Sequence, residues 1–315
     1  MKRRYALRLT LLLLPLSPLL LLTGCLTFAK SGREHISWEN RDREYRVHVP
    51  PSYDDKTSVP LVVALHGAGM TLSLMAYLTG FNTLADREGF IVVYPKGTNK
   101  KWSSGVNLPD FPGYDTPVDD VGLVGRIVSE MERNYRIDPR RIYVTGVSNG
   151  GMLSHLVACR FSRRIAAAAP VIGTISEKSL PDCKPEAPVP MLMINGTDDP
   201  IVFWKGGPLF NNDQARILPV STVVDFWLRN NGCGPQPETV QLPHHGSQCG
   251  TRTRIDRYHG PTARSDVTLY AVERGGHTWP GGPLIQKQWA LGRASRDFKA
   301  AEVIWQFFKE HARGD

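Results

Sequence analysis

Apolar residues along this chain gather in short continuous runs rather than in long or strictly alternating stretches. Pro60-Leu61-Val62-Val63-Ala64-Leu65, Phe90-Ile91-Val92-Val93-Tyr94, Ile142-Tyr143-Val144-Thr145 and Val267-Thr268-Leu269-Tyr270-Ala271-Val272 carry almost no polar position. Such β-branched and aromatic runs, bounded by Gly, Pro and Asp, predict strands buried on both faces, as in a parallel sheet. Residues 165–171 and 189–194 fit the same description, and Tyr45-Arg46-Val47-His48-Val49 alternates like a half-buried strand. Between these runs, residues 75–88, 119–135, 152–158, 220–230 and 300–309 read as helices, with Asp119 or Asp120 as the N-cap of the second. Strand and helix alternate, which predicts an α/β domain: a largely parallel sheet with helices on both faces and its ligands at the carboxyl ends of the strands. Residues 95–118 form a loop rich in Gly, Pro and Asp. Residues 235–261 read as an insertion rather than a second domain, and no internal repeat is visible.

The first segment has a different character. Lys2, Arg3, Arg4 and Arg8 precede an apolar run over residues 9–22 that Pro15 and Pro18 interrupt, and the run ends at Leu22-Thr23-Gly24-Cys25. This is the layout of a signal peptide over residues 1–24 and not of a spanning helix. The ending matches the lipobox of bacterial lipoproteins, which makes Cys25 the expected lipidation site. Export and a membrane anchor follow as expectations, with residues 25–34 as a polar tether and residues 35–315 as the catalytic domain.

Charge changes little once the signal is set aside. The net charge is +8, and the four cations before Cys25 have no acid among them, leaving +4 for the rest. There is no long Lys/Arg run, so nucleic acid is not an expected partner. Beyond Cys25 stand Cys159, Cys183, Cys233 and Cys249, an even set suited to two disulfides in an oxidising compartment. Three pairings are open; proximity favours Cys159 with Cys183 and Cys233 with Cys249. No Cys-x-x-Cys occurs, so no metal is expected.

Chemistry enters at Gly146-Val147-Ser148-Asn149-Gly150, a Gly-x-Ser-x-Gly pattern placed between a predicted strand and a predicted helix. A serine at such an elbow is held in a strained conformation with its hydroxyl exposed, and the helix amides after it face a developing oxyanion. Serine needs a base to take its proton and a third group to hold that base. The loop after the strand ending at Ile194 supplies Asp198-Asp199-Pro200, and the loop after the last strand supplies Gly275-Gly276-His277-Thr278-Trp279. Asp199 is the expected acid, because Pro200 biases it toward an extended turn. His277 is the expected base: His244 and His245 lie in the insertion, His259 precedes a turn and His311 is in the terminal tail. Leu65-His66-Gly67-Ala68-Gly69 offers the Ala68 amide as one oxyanion donor beside that of Asn149, each worth about 3–4 kcal/mol in such sites. His66 is then a structural hydrogen-bonding residue. Trp102, Trp204 and Trp279 lie near the strand ends and are candidates to line an aromatic or polymer-binding cleft.

LVVALHGAGM, GFIVVYPKG, Asp119-Asp120-Val121-Gly122, YVTGVSNGGM, GTDDP, GGHTWPGG and IWQFF, in this order, resemble the secreted α/β-hydrolase family of poly(3-hydroxybutyrate) depolymerases and feruloyl or acetylxylan esterases. The resemblance covers most of the chain beyond the signal. It implies the α/β-hydrolase fold and a serine esterase with an acyl-enzyme, with Ser148, Asp199 and His277 in the catalytic positions, an ester substrate that in this family is often polymeric, and no cofactor. Asn195 departs from the histidine that many members have, and Tyr258-His259-Gly260-Pro261 lacks a cysteine often found there, which suggests Cys249 as a substitute partner. A peptidase or thioesterase on the same fold shares this triad, and a noncatalytic polymer-binding lipoprotein does not need it.

Overall fold

The computed structural model describes residues 31–106, 118–243, 250–262, 264–283 and 288–314. Cys25 and Cys249 lie outside them. Two strands open the fold, β1 (Gly32–Trp38) and β2 (Arg41–His48), followed by β3 (Val59–Leu65), α1 (Leu72–Thr79), α2 (Phe81–Glu88), β4 (Ile91–Pro95) and α3 (Asp120–Asn134). Next come β5 (Ile137–Val147), α4 (Asn149–Arg160), β6 (Ala167–Val171), β7 (Met191–Gly196), β8 (Gly207–Leu209), β9 (Asn212–Ile217) and α5 (Val220–Asn231). The chain closes with β10 (Glu238–Gln241), β11 (Arg252–Tyr258), β12 (Val267–Glu273), α6 (Gln288–Leu291) and α7 (Ala300–Glu310).

Among the described residues, ten strands form one sheet in the order β1-β2-β4-β3-β5-β6-β7-β12-β11-β10. The six central strands, β4 to β12 in that order, are parallel, and antiparallel pairs flank them on both sides. The apolar runs are buried on both faces because side chains alternate across the pleat. Leu61, Val63, Ile142, Val144, Met191 and Met193 face a core shared with α3, α4 and α5. Their neighbours Val62, Ala64, Tyr143, Leu192 and Ile194 face a second core with α1, α2 and α7. The fold is thus the α/β-hydrolase arrangement that the motifs imply.

Three expectations are corrected. The helix expected over residues 75–88 is two helices, because Gly80 takes a left-handed conformation (φ 69°) that ends α1 on its own amide. The tether expected over residues 25–34 is shorter, since Gly32, Arg33 and Glu34 already pair with Val47, Arg46 and Tyr45. β1 runs in the same sense as the parallel strands, entering from the end away from their carboxyl termini. Finally, the insertion over residues 235–261 contains β10 and β11, which extend the sheet beyond β12. Arg252-Thr253-Arg254-Ile255 buries only alternate positions, so it lacks the apolar run that marks the central strands.

Of the two expected disulfides, Cys159–Cys183 is formed; it ties the end of α4 to the segment after β6 and closes 24 residues. Such a link stabilises by about 3 kcal/mol in the chain-entropy model. Cys233 donates its thiol to the Ser265 carbonyl at 2.9 Å, and its expected partner, Cys249, lies outside the described residues.

Candidate active site

β5 delivers Ser148 to the carboxyl end of the sheet and turns directly into α4. Ser148 has φ 55° and ψ −118°, a backbone conformation that costs a non-glycine residue about 1–3 kcal/mol. The surroundings force it. A Cβ at Gly146 would lie 2.3 Å from the Gly150 carbonyl oxygen, and one at Gly150 would lie 2.2 Å from that of Leu65. Strand and helix therefore touch where the two glycines of the pattern stand. The Ser148 amide donates to Val171 (2.9 Å) on the neighbouring strand. Although serine is a favoured N-cap, its side chain makes no capping bond to α4, which leaves the hydroxyl available.

The Asp198–Asp199 pair is resolved by contact. Asp199 is buried, and its Oδ2 accepts from His277 Nδ1 at 2.8 Å. Its Oδ1 accepts from the amides of Ile201 and Val202, both at 2.8 Å, so the carboxylate is aimed by its own turn. Asp198 is exposed and takes only a hydrogen bond from Thr197. His277 is held by its amide, which donates to the Leu291 carbonyl at 2.5 Å. With Nδ1–H donated to the carboxylate, Nε2 is the atom left to act as a base.

Ser148 and His277 line one cavity of about 460 Å³ together with Ala68, Ile172, Trp279 and Leu291. Its remaining walls come from Met70, Leu74 and Leu78 on one side and Ile201 and Phe210 on the other, so the surface is mostly apolar. Ala68 is therefore placed beside the serine, as the sequence suggests. Of the three tryptophans, only Trp279 lines the cavity. Trp204 is partly buried against the core and is not among the residues that line the cavity.

Trp102 is also a correction: it is 1% exposed and acts as a prop. Its indole N–H donates to the His66 carbonyl (2.8 Å), and its ring lies 4.7 Å from the His66 ring. Its amide donates to Asn149 Oδ1 (2.7 Å), while Asn149 Nδ2 donates to the Trp102 carbonyl (3.2 Å) and to Ser104 Oγ (2.7 Å). Asn149 thus clamps the loop with its side chain while its own amide opens α4. His66 completes the floor, as the sequence suggests: Nδ1 donates to the Gly67 carbonyl (2.8 Å) and Nε2 accepts from the Gly97 amide (3.0 Å). Burial depresses its pKa to about 4, so it stays neutral. Behind the loop, Asp120 accepts from the Ser103 amide (2.8 Å) and from the buried Arg43 guanidinium (2.7 Å).

Two residues in the site carry no sequence signal. Ile172 follows β6 with φ 45°, an outlier for a β-branched side chain, and lines the cavity. Its amide donates to Ile194 (2.7 Å), and Asn195 donates to the next carbonyl, Gly173 (3.3 Å), which gives Asn195 a positional role at the place where it departs from the family. Phe210 stands at the tip of the β8–β9 hairpin, where it and Asn211 both have positive φ, as a two-residue I′ turn requires.

A strained serine at a strand-to-helix elbow and a buried Asp–His pair on later strand ends define a hydrolase of the α/β class. The comparisons with known proteins narrow this to the esterases. Residues 43–179 match the family model described as Esterase PHB depolymerase, in accord with the motifs. The protein named "Putative esterase NocK", of Nocardia uniformis subsp. tsuyamanensis, is 27% identical over 85% of this chain and 79% of its own. Feruloyl esterase B of Piromyces equi is 25% identical over 79% of this chain, which spans 46% of that protein. The solved acetyl xylan esterase from Aspergillus awamori has the same fold, with a TM-score of 0.59 at 14% identity over 89% of this chain and 99% of that one. The chain is a carboxylic ester hydrolase.

Proposed function

We propose that the protein is an exported serine esterase acting through an acyl-enzyme on hydroxyalkanoate esters or on feruloyl or acetyl esters of polysaccharides. The observation that carries the reading is the Asp199–His277 contact of 2.8 Å in the cavity that Ser148 lines. His277 Nε2 takes the Ser148 proton as Oγ attacks the ester carbonyl. The oxygen of the tetrahedral intermediate carries the negative charge and accepts from the Ala68 and Asn149 amides. The intermediate collapses, the C–O bond to the alcohol breaks, and the imidazolium returns the proton to the departing alkoxide. Water then attacks the acyl-enzyme with His277 again as base, releasing the acid and restoring Ser148. Asp199 holds the imidazole in the needed tautomer throughout. The apolar walls suit an acyl or aryl group, and Trp279 adds an aromatic face.

Export and attachment to a membrane through lipidated Cys25 belong to the same proposal; they rest on the signal-like segment and its Leu-Thr-Gly-Cys ending. The test of the chemistry is labelling by a fluorophosphonate, expected at Ser148 and lost in Ser148→Ala, together with rates on short-chain, hydroxycinnamoyl and hydroxyalkanoate oxyesters beside amide and thioester analogues. Faster cleavage of the amide or thioester would reassign the class. Fractionation of Cys25→Ser beside the wild type tests the anchor; equal solubility of the two removes it.

A further inference from the structure

A second concavity, of about 230 Å³, adjoins the catalytic one, and Leu78, Trp279 and Pro283 line both. The partition between them is thin: a Cβ at Gly282 would lie 2.9 Å from Trp279 Cδ1 and 3.0 Å from the Leu78 carbonyl oxygen. It is also fixed. The Phe81 ring meets the Trp279 indole edge-on with centroids 6.1 Å apart, the Pro280 carbonyl accepts from the Ala300 amide (2.9 Å), and the Gly281 amide donates to the Ser295 carbonyl (3.0 Å). Trp279 stands two residues after His277, the group that hands the proton to the departing alkoxide in the proposed cycle. The groove therefore continues the cavity from the loop that meets the alcohol half of the ester.

The groove is amphipathic. Tyr77 on α1 lines it, 66% exposed, and among the described residues its ring and hydroxyl make no ring contact or hydrogen bond. An apolar face with a polar tip, left to solvent beside an active-site cavity, is suited to stacking on a ligand rather than to holding the fold. Leu84 and Pro280 add apolar lining, while Thr83, Lys299 and the Arg87–Glu302 pair (3.0 and 2.6 Å) add polar groups. An ionised carboxylate only accepts, and with two bonds from Arg87 that of Glu302 keeps lone pairs for a ligand hydroxyl. The repeating units of a polyester bring ester oxygens, which also only accept. A pyranose ring brings hydroxyls that donate to Glu302 and accept from Thr83 or Lys299, and C–H faces that lie on the tyrosine ring.

We infer that the groove is a subsite for a sugar ring of a polysaccharide chain that carries the scissile ester, with Tyr77 as its stacking platform. The inference rests on the serine esterase reading of the adjoining cavity and, within it, selects esters of polysaccharides over hydroxyalkanoate esters. Truncating a contact tyrosine corresponds to about a five- to tenfold loss in kcat/KM.

Acetylated xylohexaose and acetylated xylobiose, which offer the same ester on a long and a short chain, test it in the full-length protein. In the wild type kcat/KM for the hexaose exceeds that for the biose about five- to tenfold. Tyr77→Ala brings this ratio toward one, and Tyr77→Trp, which keeps an aromatic face, retains it. Each protein supplies its own reference substrate, so a loss of folded protein cancels from the ratio. Methyl esters of the 3-hydroxybutyrate hexamer and dimer are the control pair, and their ratio is the same in the wild type and Tyr77→Ala. No cleavage of either sugar ester, a wild-type sugar ratio near one, a ratio that Tyr77→Ala leaves unchanged, or an equal effect of that substitution on the hydroxybutyrate pair overturns the inference. If p-nitrophenyl acetate is still cleaved and Ser148 still labelled in that case, the esterase reading stands without it; if neither happens, both fall together.

Discussion

The floor of the catalytic cavity and its rim are built on opposite plans. In the floor, Ser148, Asn149, His66 and Trp102 sit on strand ends or against them, and their side chains or amides are fixed by distances of 2.7–3.2 Å. On the rim, Phe210 is 53% exposed at a hairpin tip. In the proposed mechanism the floor must hold charge as it develops, so reorganisation there is costly; the rim must accept a variable substrate, so it presents exposed side chains. The contrast accounts for the unlike places of two tryptophans: Trp102 belongs to the floor's hydrogen bonds and Trp279 to the cavity wall.

The sharpest way to break this contrast is the aspartate pair. Asp199→Asn leaves His277 in the wrong tautomer, and kcat is expected to fall about 10⁴-fold, as in the protease triad, while Asp198→Asn stays within a few-fold. Circular dichroism should show both variants folded. A reversal of the two losses would falsify the assignment of the floor.

Next in size is an acid response. His66 and the fully buried His155 are held neutral by burial, with pKa values lowered to about 4 and about 3. The unfolded chain takes up these protons near pH 6.5 and the folded chain does not. Stability is thus fully present above about pH 6.5 and is lost as pH falls toward these folded values, on the order of 3 kcal/mol from His66 alone. Urea unfolding at pH 7, 5.5 and 4.5 measures it; a flat profile across that range contradicts the buried neutral state.

Asn149→Ala keeps the backbone donor but frees the loop and orphans the buried Trp102 amide and carbonyl. A roughly ten- to hundred-fold drop in kcat with little change in KM is expected. A change in KM alone would move Asn149 from floor to rim.

The smallest effect sharpens the comparison from the other side. Phe210 occupies a positive-φ position that favours Asn or Gly, so Phe210→Asn should stabilise the protein by about 1 kcal/mol while raising KM a few-fold. A thermal melt and a KM series read both at once. Lower stability would mean that Phe210 packs as a core residue does.

Much of the floor was legible in the sequence. Buried strands leave uninterrupted apolar runs, and an elbow needs glycines at fixed offsets, so Ser148, Asp199 and His277 could be placed by their position after strands. The side-chain role of Asn149 was not legible, because it depends on a loop 47 residues away in sequence. Trp102 was misread for a related reason: proximity to a strand end does not say which way a ring points. β10 and β11 escaped because their largely polar sequences leave no apolar run, β10 burying no position and β11 beginning with alternate burial, and Ile172 because strain at one residue leaves no mark on composition.

The polarity of β1 bears on where the enzyme works. Its chain enters at the edge of the sheet and runs toward the catalytic end, with Ser31 bonded to Val49 below the first pair. With Cys25 acylated as proposed, the seven steps to Gly32 span at most about 25 Å. A leash that short, leaving from the rear, turns the cavity mouth away from the bilayer that holds it. The enzyme would then graze on esters arriving from the aqueous side, and the lipids of its own membrane would be out of reach.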